Sequence, residues 1–354
     1  MIVWGLRAIV TAVILVLLTA SSVLATPEVL WRREGWDKTD FSKRAIEWHE
    51  IMSGGLPKDG IPAIDSPRFI AVPAASSIGD DEAVIGVEIN GDVRAYPLRV
   101  MMWHDIVNDT IGGVPVAVTY CPLCNAAIVF ERNTPQGILD FGTSGKLRNS
   151  DLVMYDRQTE SWWQQYSGKA IVGQLVGAKL RLVPARLEGF ALFRERHPAG
   201  RVLVPSDPSL RQYGRNPYEG YDTSAVPFLF RGEFRAGIEP MTRVVVVRDG
   251  EAAAAVTLKL IREKGPISVG GTVLTWRKGQ ASALDASTVA GGRDVGNVIA
   301  QKRLADGHLF DVAYDVTFAF VFHAFHPGSD IIESCDGSGR RYAADHSIAA
   351  GCGS

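Results

Sequence analysis

The residues whose type and spacing could do chemistry are the two sulfurs of Thr119-Tyr120-Cys121-Pro122-Leu123-Cys124-Asn125. Upstream, Val114-Pro115-Val116-Ala117-Val118 alternates and branches as a strand does, and Ala126-Ala127-Ile128-Val129-Phe130 reads as another. The cysteines therefore occupy the turn of a hairpin. A thioredoxin-type redox pair opens a helix, whereas Cys-Pro-x-Cys between two strands, followed by a residue that tolerates positive φ, has the shape of a metal knuckle. Asn125 tolerates that φ, as Gly more often does. Three readings stay open: a transition-metal site, a redox disulfide and a structural disulfide. Haem attachment is excluded, because Asn125 stands where a histidine is required.

The metal reading needs a third ligand, and His104 lies one element upstream, with Asp105 or Asp109 placed to orient its second ring nitrogen. Cys121, Cys124 and His104 together give soft and borderline donors suited to copper or zinc and leave a position open. Asp156, Arg157 and Trp163, with Asp109 and Tyr120, are candidates to line a cleft over the hairpin. The competing reading of Asp156-Arg157-Gln158-Thr159 is a strand end and turn whose side chains bond local backbone. Gly142-Thr143-Ser144-Gly145-Lys146 suggests a phosphate loop but lacks its spacing and a following helix. Cys335 and Cys352 form a separate disulfide or belong to a disordered end.

The elements that must position the pair come next. Ala83 to Ile89 and Val93 to Tyr96 flank Asn90-Gly91, a strong hairpin signal. Pro97 to Ile106 reads as a short helix carrying His104, and residues 108–113 turn the chain into the cysteine hairpin. Ser42 to Met52 has helical spacing with Ser42 as its cap and Ser53-Gly54-Gly55 as its stop, and His49 packs half-buried beside the apolar stripe.

The second half echoes the first. Val245 to Glu251 answers Val87 to Asp92, Gly270-Gly271 answers Gly112-Gly113, and Phe318 to Pro327 mirrors Phe190 to Pro198. This order predicts two divergent copies of one β-rich unit. The chain divides into a signal peptide (1–25), a lead-in segment (26–82), copy one with the site (83–205), a linker (206–241), a degenerate copy two (242–334) and a tail (335–354). The fold class is predominantly β (α+β) with short helices. Only copy one can host chemistry, because copy two has Ile261-Arg262-Glu263 in place of Trp103-His104-Asp105 and no cysteine pair. His197 and His326, each just before a proline, read as structural ends of packed elements.

Composition sets the class. The chain has 354 residues, is 46% hydrophobic and 21% charged, and is therefore globular rather than disordered or fibrous. A net charge of -2 without Lys/Arg runs argues against a nucleic-acid partner. Four cysteines in this length exclude a disulfide scaffold. Arg7, the apolar stretch Ala8 to Ala20 and Val23-Leu24-Ala25 predict a cleaved secretory signal and a periplasmic or extracellular protein, which touches the membrane only through that segment. The alternative is an uncleaved anchor.

Ser53-Gly54-Gly55, Lys58-Asp59-Gly60-Ile61-Pro62, Arg94-Ala95-Tyr96-Pro97-Leu98, His104 with Val107-Asn108-Asp109, Tyr120-Cys121-Pro122-Leu123-Cys124, and Asp156-Arg157-Gln158-Thr159 with Ser161, Trp163 and Gln165 together resemble the domain of unknown function 3179 family. The resemblance implies an exported bacterial protein with a CPLC-type centre, and it brings no established reaction. Asn125 departs from the glycine usual after such centres. The leading expectation is an exported metal-binding protein acting on a small molecule or protein. The alternatives are a periplasmic thiol-disulfide oxidoreductase and a β-rich binding module with a structural CxxC bridge. No G-x-S-x-G or H-E-x-x-H occurs to suggest a hydrolase.

Overall fold

The computed structural model describes residues 26–250, 252–304, 306–335 and 350–352. The expected signal peptide, residues 1–25, lies outside the described residues. Two compact units divide the chain, residues 1–37 and 38–354. In the first, the helix Pro27–Arg33 has Pro at its start, Glu28 in its first turn and Arg32 and Arg33 in its last, charges that complement the helix dipole. No helix among the described residues is long and apolar enough to cross a membrane.

The second unit is mostly β, with five small sheets in a propeller-like ring and few short helices. Two sheets share one plan. Arg243–Asp249 pairs antiparallel with Ala252–Thr257 and Tyr314–Phe318, and Ile331–Ile332 closes the edge in parallel. Ala83–Ile89 does the same with Asp92–Pro97 and Arg186–Gly189, and Arg201–Val204 closes in parallel before Arg68–Ala71 adds a fifth strand. Each plan includes a seven-residue helix, Phe190–Arg196 or Ala319–Phe325, ended by His197 or His326 at nearly identical backbone angles (φ -135, ψ 63 and φ -136, ψ 61).

A second pair also matches. The cysteine sheet orders Leu182–Val183, Ala126–Glu131, Val114–Cys121 and Ile106–Ile111. Its counterpart orders Leu309–Asp311, Asn297–Arg303, Thr272–Arg277 and Ile267–Val269, with Ala350–Cys352 at the far edge. The fifth sheet has no counterpart in the second half among the described residues. It orders Ile51–Ser53, Phe141–Arg148, Asp151–Asp156, Trp162–Gln164 and Lys169–Val172.

Polar contacts tie neighbouring sheets. Asn108 donates to the Phe141 carbonyl at 2.8 Å and accepts from the Phe141 N–H at 3.0 Å, fastening the cysteine sheet to the unmatched one. Arg94 places one guanidinium nitrogen 2.6 Å from both Asp109 oxygens, and Tyr96 donates to Asp109 at 2.5 Å.

Three local expectations need correction. Ser42 to Met52 is not a helix: only the 3-10 turn Trp48–Glu50 forms, because Ile51–Ser53 pairs with Lys146–Arg148 and Arg44 bridges to Val172. Sheet edges thus override helical spacing, and His49 is exposed. The helix after Pro97 spans only Leu98–Met101, which leaves His104 in a turn. Residues 106–111 are a strand, and only Gly112-Gly113 turns the chain. Cys335 is disulfide-bonded.

The loop at residues 54–57 crosses so close to Gly145 that a Cβ there would sit 2.0 Å from the Leu56 carbonyl oxygen, at φ +70. Gly91, at φ +78, faces open space. Gly91→Ala should cost about 1 to 2 kcal/mol from backbone strain alone, and Gly145→Ala clearly more, because the crossing must also give way. Denaturant unfolding of the two variants side by side measures the difference; equal losses would contradict the close crossing.

Candidate metal centre

Two hairpin tips from different sheets meet at the cysteines. One is the Cys121–Asn125 turn, in which the Cys124 N–H donates to the Cys121 carbonyl at 3.2 Å and the Asn125 N–H to the Pro122 carbonyl at 3.1 Å. Asn125 takes φ 52, the left-handed conformation its position demands. The other is the Asn149-Ser150 turn, whose two central residues both have positive φ, 55 and 64, as a two-residue hairpin turn of the primed type requires. The Ser150 carbonyl faces both sulfurs, 3.6 Å from Cys124 Sγ and 3.9 Å from Cys121 Sγ.

The next residue, Asp151, adds a carboxylate. One of its oxygens and the two Sγ atoms all lie within 4.8 Å of one another, the one such grouping of three acidic, thiol or imidazole donors among the described residues. Asp151 Oδ2 accepts from Gln164 Nε2 at 2.5 Å and from the Tyr166 N–H at 2.9 Å. Asp151 Oδ1 is buried and takes no N–H or O–H donor among the described residues, and the two thiols stand at the carboxyl. The side chains of Asp151 and Cys124 are wholly buried, and Cys121 is 2% exposed.

The cysteine turn is braced from the second half of the chain. Thr317 Oγ1 donates to the Cys124 carbonyl at 2.7 Å, Asn125 Nδ2 to the Val316 carbonyl at 3.0 Å, and Tyr221 Oη to the Leu123 carbonyl at 2.9 Å. The Leu123 and Cys124 carbonyls of the turn are thereby satisfied without drawing on the sulfurs.

His104 is engaged elsewhere. Its Nδ1 meets the Pro62 carbonyl at 2.8 Å and its Nε2 the Tyr213 hydroxyl at 2.8 Å, and its ring stacks on Tyr213 with centroids 5.8 Å apart. It is not among the donors that converge on the sulfurs. Neither Asp105 nor Asp109 orients it.

Against this geometry, a family model described as protein of unknown function (DUF3179) matches residues 58–329, most of the chain. The chain belongs to the DUF3179 family. Comparison with curated proteins and with solved structures finds no match.

The matched span of this DUF3179 chain holds the five residues expected to line a cleft, and the structure gives each an internal partner. Asp156 accepts from the Thr159 N–H at 2.6 Å and from Trp163 Nε1 at 2.9 Å, which is the local turn bonding that its sequence also suggests. Arg157 pairs with Asp65 at 2.5 Å, Asp109 with Arg94 at 2.6 Å, and Tyr120 Oη lies 3.4 Å from Asn125 Oδ1. None of the five lines the cavity that opens beside Cys121. That cavity, of about 190 Å³, is walled by Asp105 among others.

Burial dominates the electrostatics. It pushes both thiols above the usual cysteine range, Cys124 the further because Cys121 and Asp151 stand beside it. It raises the Asp151 carboxyl to about 6, against the lowering effect of its Tyr166 and Gln164 hydrogen bonds, and the Asp105 carboxyl to about 8. In metal-free protein each carboxyl retains a proton that the unfolded chain has released. The stabilisation is complete below the unfolded value of about 3.9 and is lost as pH rises through about 6 for Asp151 and about 8 for Asp105. Wild type should therefore lose up to roughly 1.4 kcal/mol per pH unit per carboxyl across these windows. Asp151→Asn should remove its share below about pH 6 and Asp105→Asn its share up to about pH 8. Denaturant midpoints across pH measure this, and wild-type and variant slopes that coincide would contradict it.

Proposed function

We propose that the protein binds a transition metal, zinc or copper, through Cys121, Cys124 and Asp151. What carries the reading is the Asp151 carboxyl, whose buried Oδ1 takes no N–H or O–H donor and stands beside two free thiols. A buried polar atom without a partner is costly, and three groups that each ionise to an anion cannot all do so in one dry space without a cation. A divalent ion offsets two of the three negative charges and supplies the absent partner. Two thiolates and a carboxylate suit zinc, and the thiolates also suit copper. Gln164 and the Tyr166 N–H hold Oδ2 and so leave Oδ1 as the donor, the kind of outer support that fixes a ligand's orientation. When bound, the metal would supply Lewis acidity or a structural tie between the two hairpin tips.

A thiol-disulfide oxidoreductase is the weaker reading. Exchange chemistry needs an accessible thiolate of lowered pKa, whereas burial and a neighbouring carboxylate raise both thiols here. We also propose that the protein is exported. The apolar segment Ala8 to Ala20 and the disulfide at Cys335 both suit an oxidising compartment.

Competition with a chelator of known affinity tests the site. Cys121→Ser, Cys124→Ser and Asp151→Asn should each weaken zinc binding by more than about 100-fold, beyond what loss of an outer support costs. His104→Gln should leave affinity within about threefold while lowering stability by roughly 1 to 2 kcal/mol, since both ring nitrogens lose their partners. A His104 variant that lost zinc as completely as the Asp151 variant would overturn the assignment.

A further inference from the structure

The cavity beside Cys121 has a built polar feature that the metal reading does not use. Asp105 lines it, is 5% exposed, and its Oδ1 is buried with no hydrogen-bond partner among the described residues. The backbone holds this side chain in place from both sides. The Asp105 N–H donates to the Met101 carbonyl at 2.7 Å, and its carbonyl accepts from the Tyr120 N–H at 2.8 Å, with φ at 55.

The rest of the wall is chiefly apolar, with Ile61, Leu147, Leu152 and Leu229 among its members. The wall also holds the Cys121 thiol and the Tyr218 hydroxyl, and two of its other polar groups are committed elsewhere. Thr143 Oγ1 donates to the Ile61 carbonyl at 2.7 Å, and the Lys146 ammonium lies 5.6 Å from the ring centroid of Trp162, which is not part of the wall. Exposed Leu56 and Phe228 stand at the rim, so the space opens to solvent there.

Volume and chemistry together limit the occupant. A cavity of about 150 Å³ lined by apolar side chains accommodates benzene, and this one measures about 190 Å³. An apolar molecule of that size would leave the Asp105 oxygen unsatisfied, and a molecule of several polar groups would leave its own groups unsatisfied against the leucines. We propose that the cavity binds a small, mainly apolar molecule carrying one hydroxyl, which donates its hydrogen to the Asp105 carboxyl group. Of the three proposed metal ligands only Cys121 lines it, and the hydroxyl's partner is Asp105.

Phenol and benzene serve as paired probes, titrated into the full chain by calorimetry or by chemical-shift changes. Wild type should bind one phenol per chain at least about tenfold more tightly than benzene, the advantage of one hydrogen bond to a buried carboxyl group. Asp105→Leu should erase that preference while still binding benzene. Ile61→Trp, which fills the space, should lose both probes. Asp105→Leu should keep its zinc affinity in the chelator competition, so a failed metal site and a failed cavity are told apart. Equal binding of phenol and benzene by wild type, a phenol preference that survives Asp105→Leu, or probe binding that survives Ile61→Trp would each overturn the proposal.

Discussion

The structure depends on the contact between two hairpin tips. The Cys121–Asn125 turn brings sulfur and the Asn149-Ser150 turn brings a carbonyl, and the carboxyl of Asp151 follows directly behind it. Each tip is locally strained, with non-glycine residues at positive φ, and each is held by contacts made well outside its own hairpin. Ser150 donates to the Phe228 carbonyl at 2.6 Å, and the cysteine turn takes hydrogen bonds from Thr317 and Tyr221 and gives one through Asn125. The carbonyls of Leu123 and Cys124, next to the buried sulfurs, are thereby satisfied by side chains from elsewhere in the fold.

The bracing explains a division of labour between the halves. The second half carries two sheets of the same order and sense as two in the first, yet among the described residues no thiol or carboxyl from it enters the cluster. Its contribution is the strand Tyr314–Phe318, which meets the cysteine turn through Val316 and Thr317. The sheet without a counterpart carries Asp151. The site therefore lies where a common plan meets an addition to it.

How much of this was legible in the sequence follows from the range of the interactions involved. The cysteine hairpin, the Asn90-Gly91 turn and the β-rich class rest on local alternation and turn chemistry, and the structure has them where those signals put them. The helix over Ser42 to Met52 fails because its helical spacing competes with a sheet edge that local sequence does not reveal. His104 was the natural third ligand by chain proximity, whereas the converging carboxyl comes from another sheet. The one hint of Asp151 was an acidic residue directly before the apolar run Leu152-Val153-Met154-Tyr155, after the turn residues Asn149-Ser150. That pattern marks a buried strand start without saying which tip it faces.

X-ray absorption at the edge of the bound metal, on zinc-loaded protein, tests the central claim most directly because it reads the donor atoms themselves. The account requires two sulfur scatterers at about 2.3 Å together with oxygen near 2.0 Å. A shell without sulfur, with one sulfur, or with two sulfurs and the multiple-scattering signature of an imidazole would contradict a centre formed by Cys121, Cys124 and Asp151.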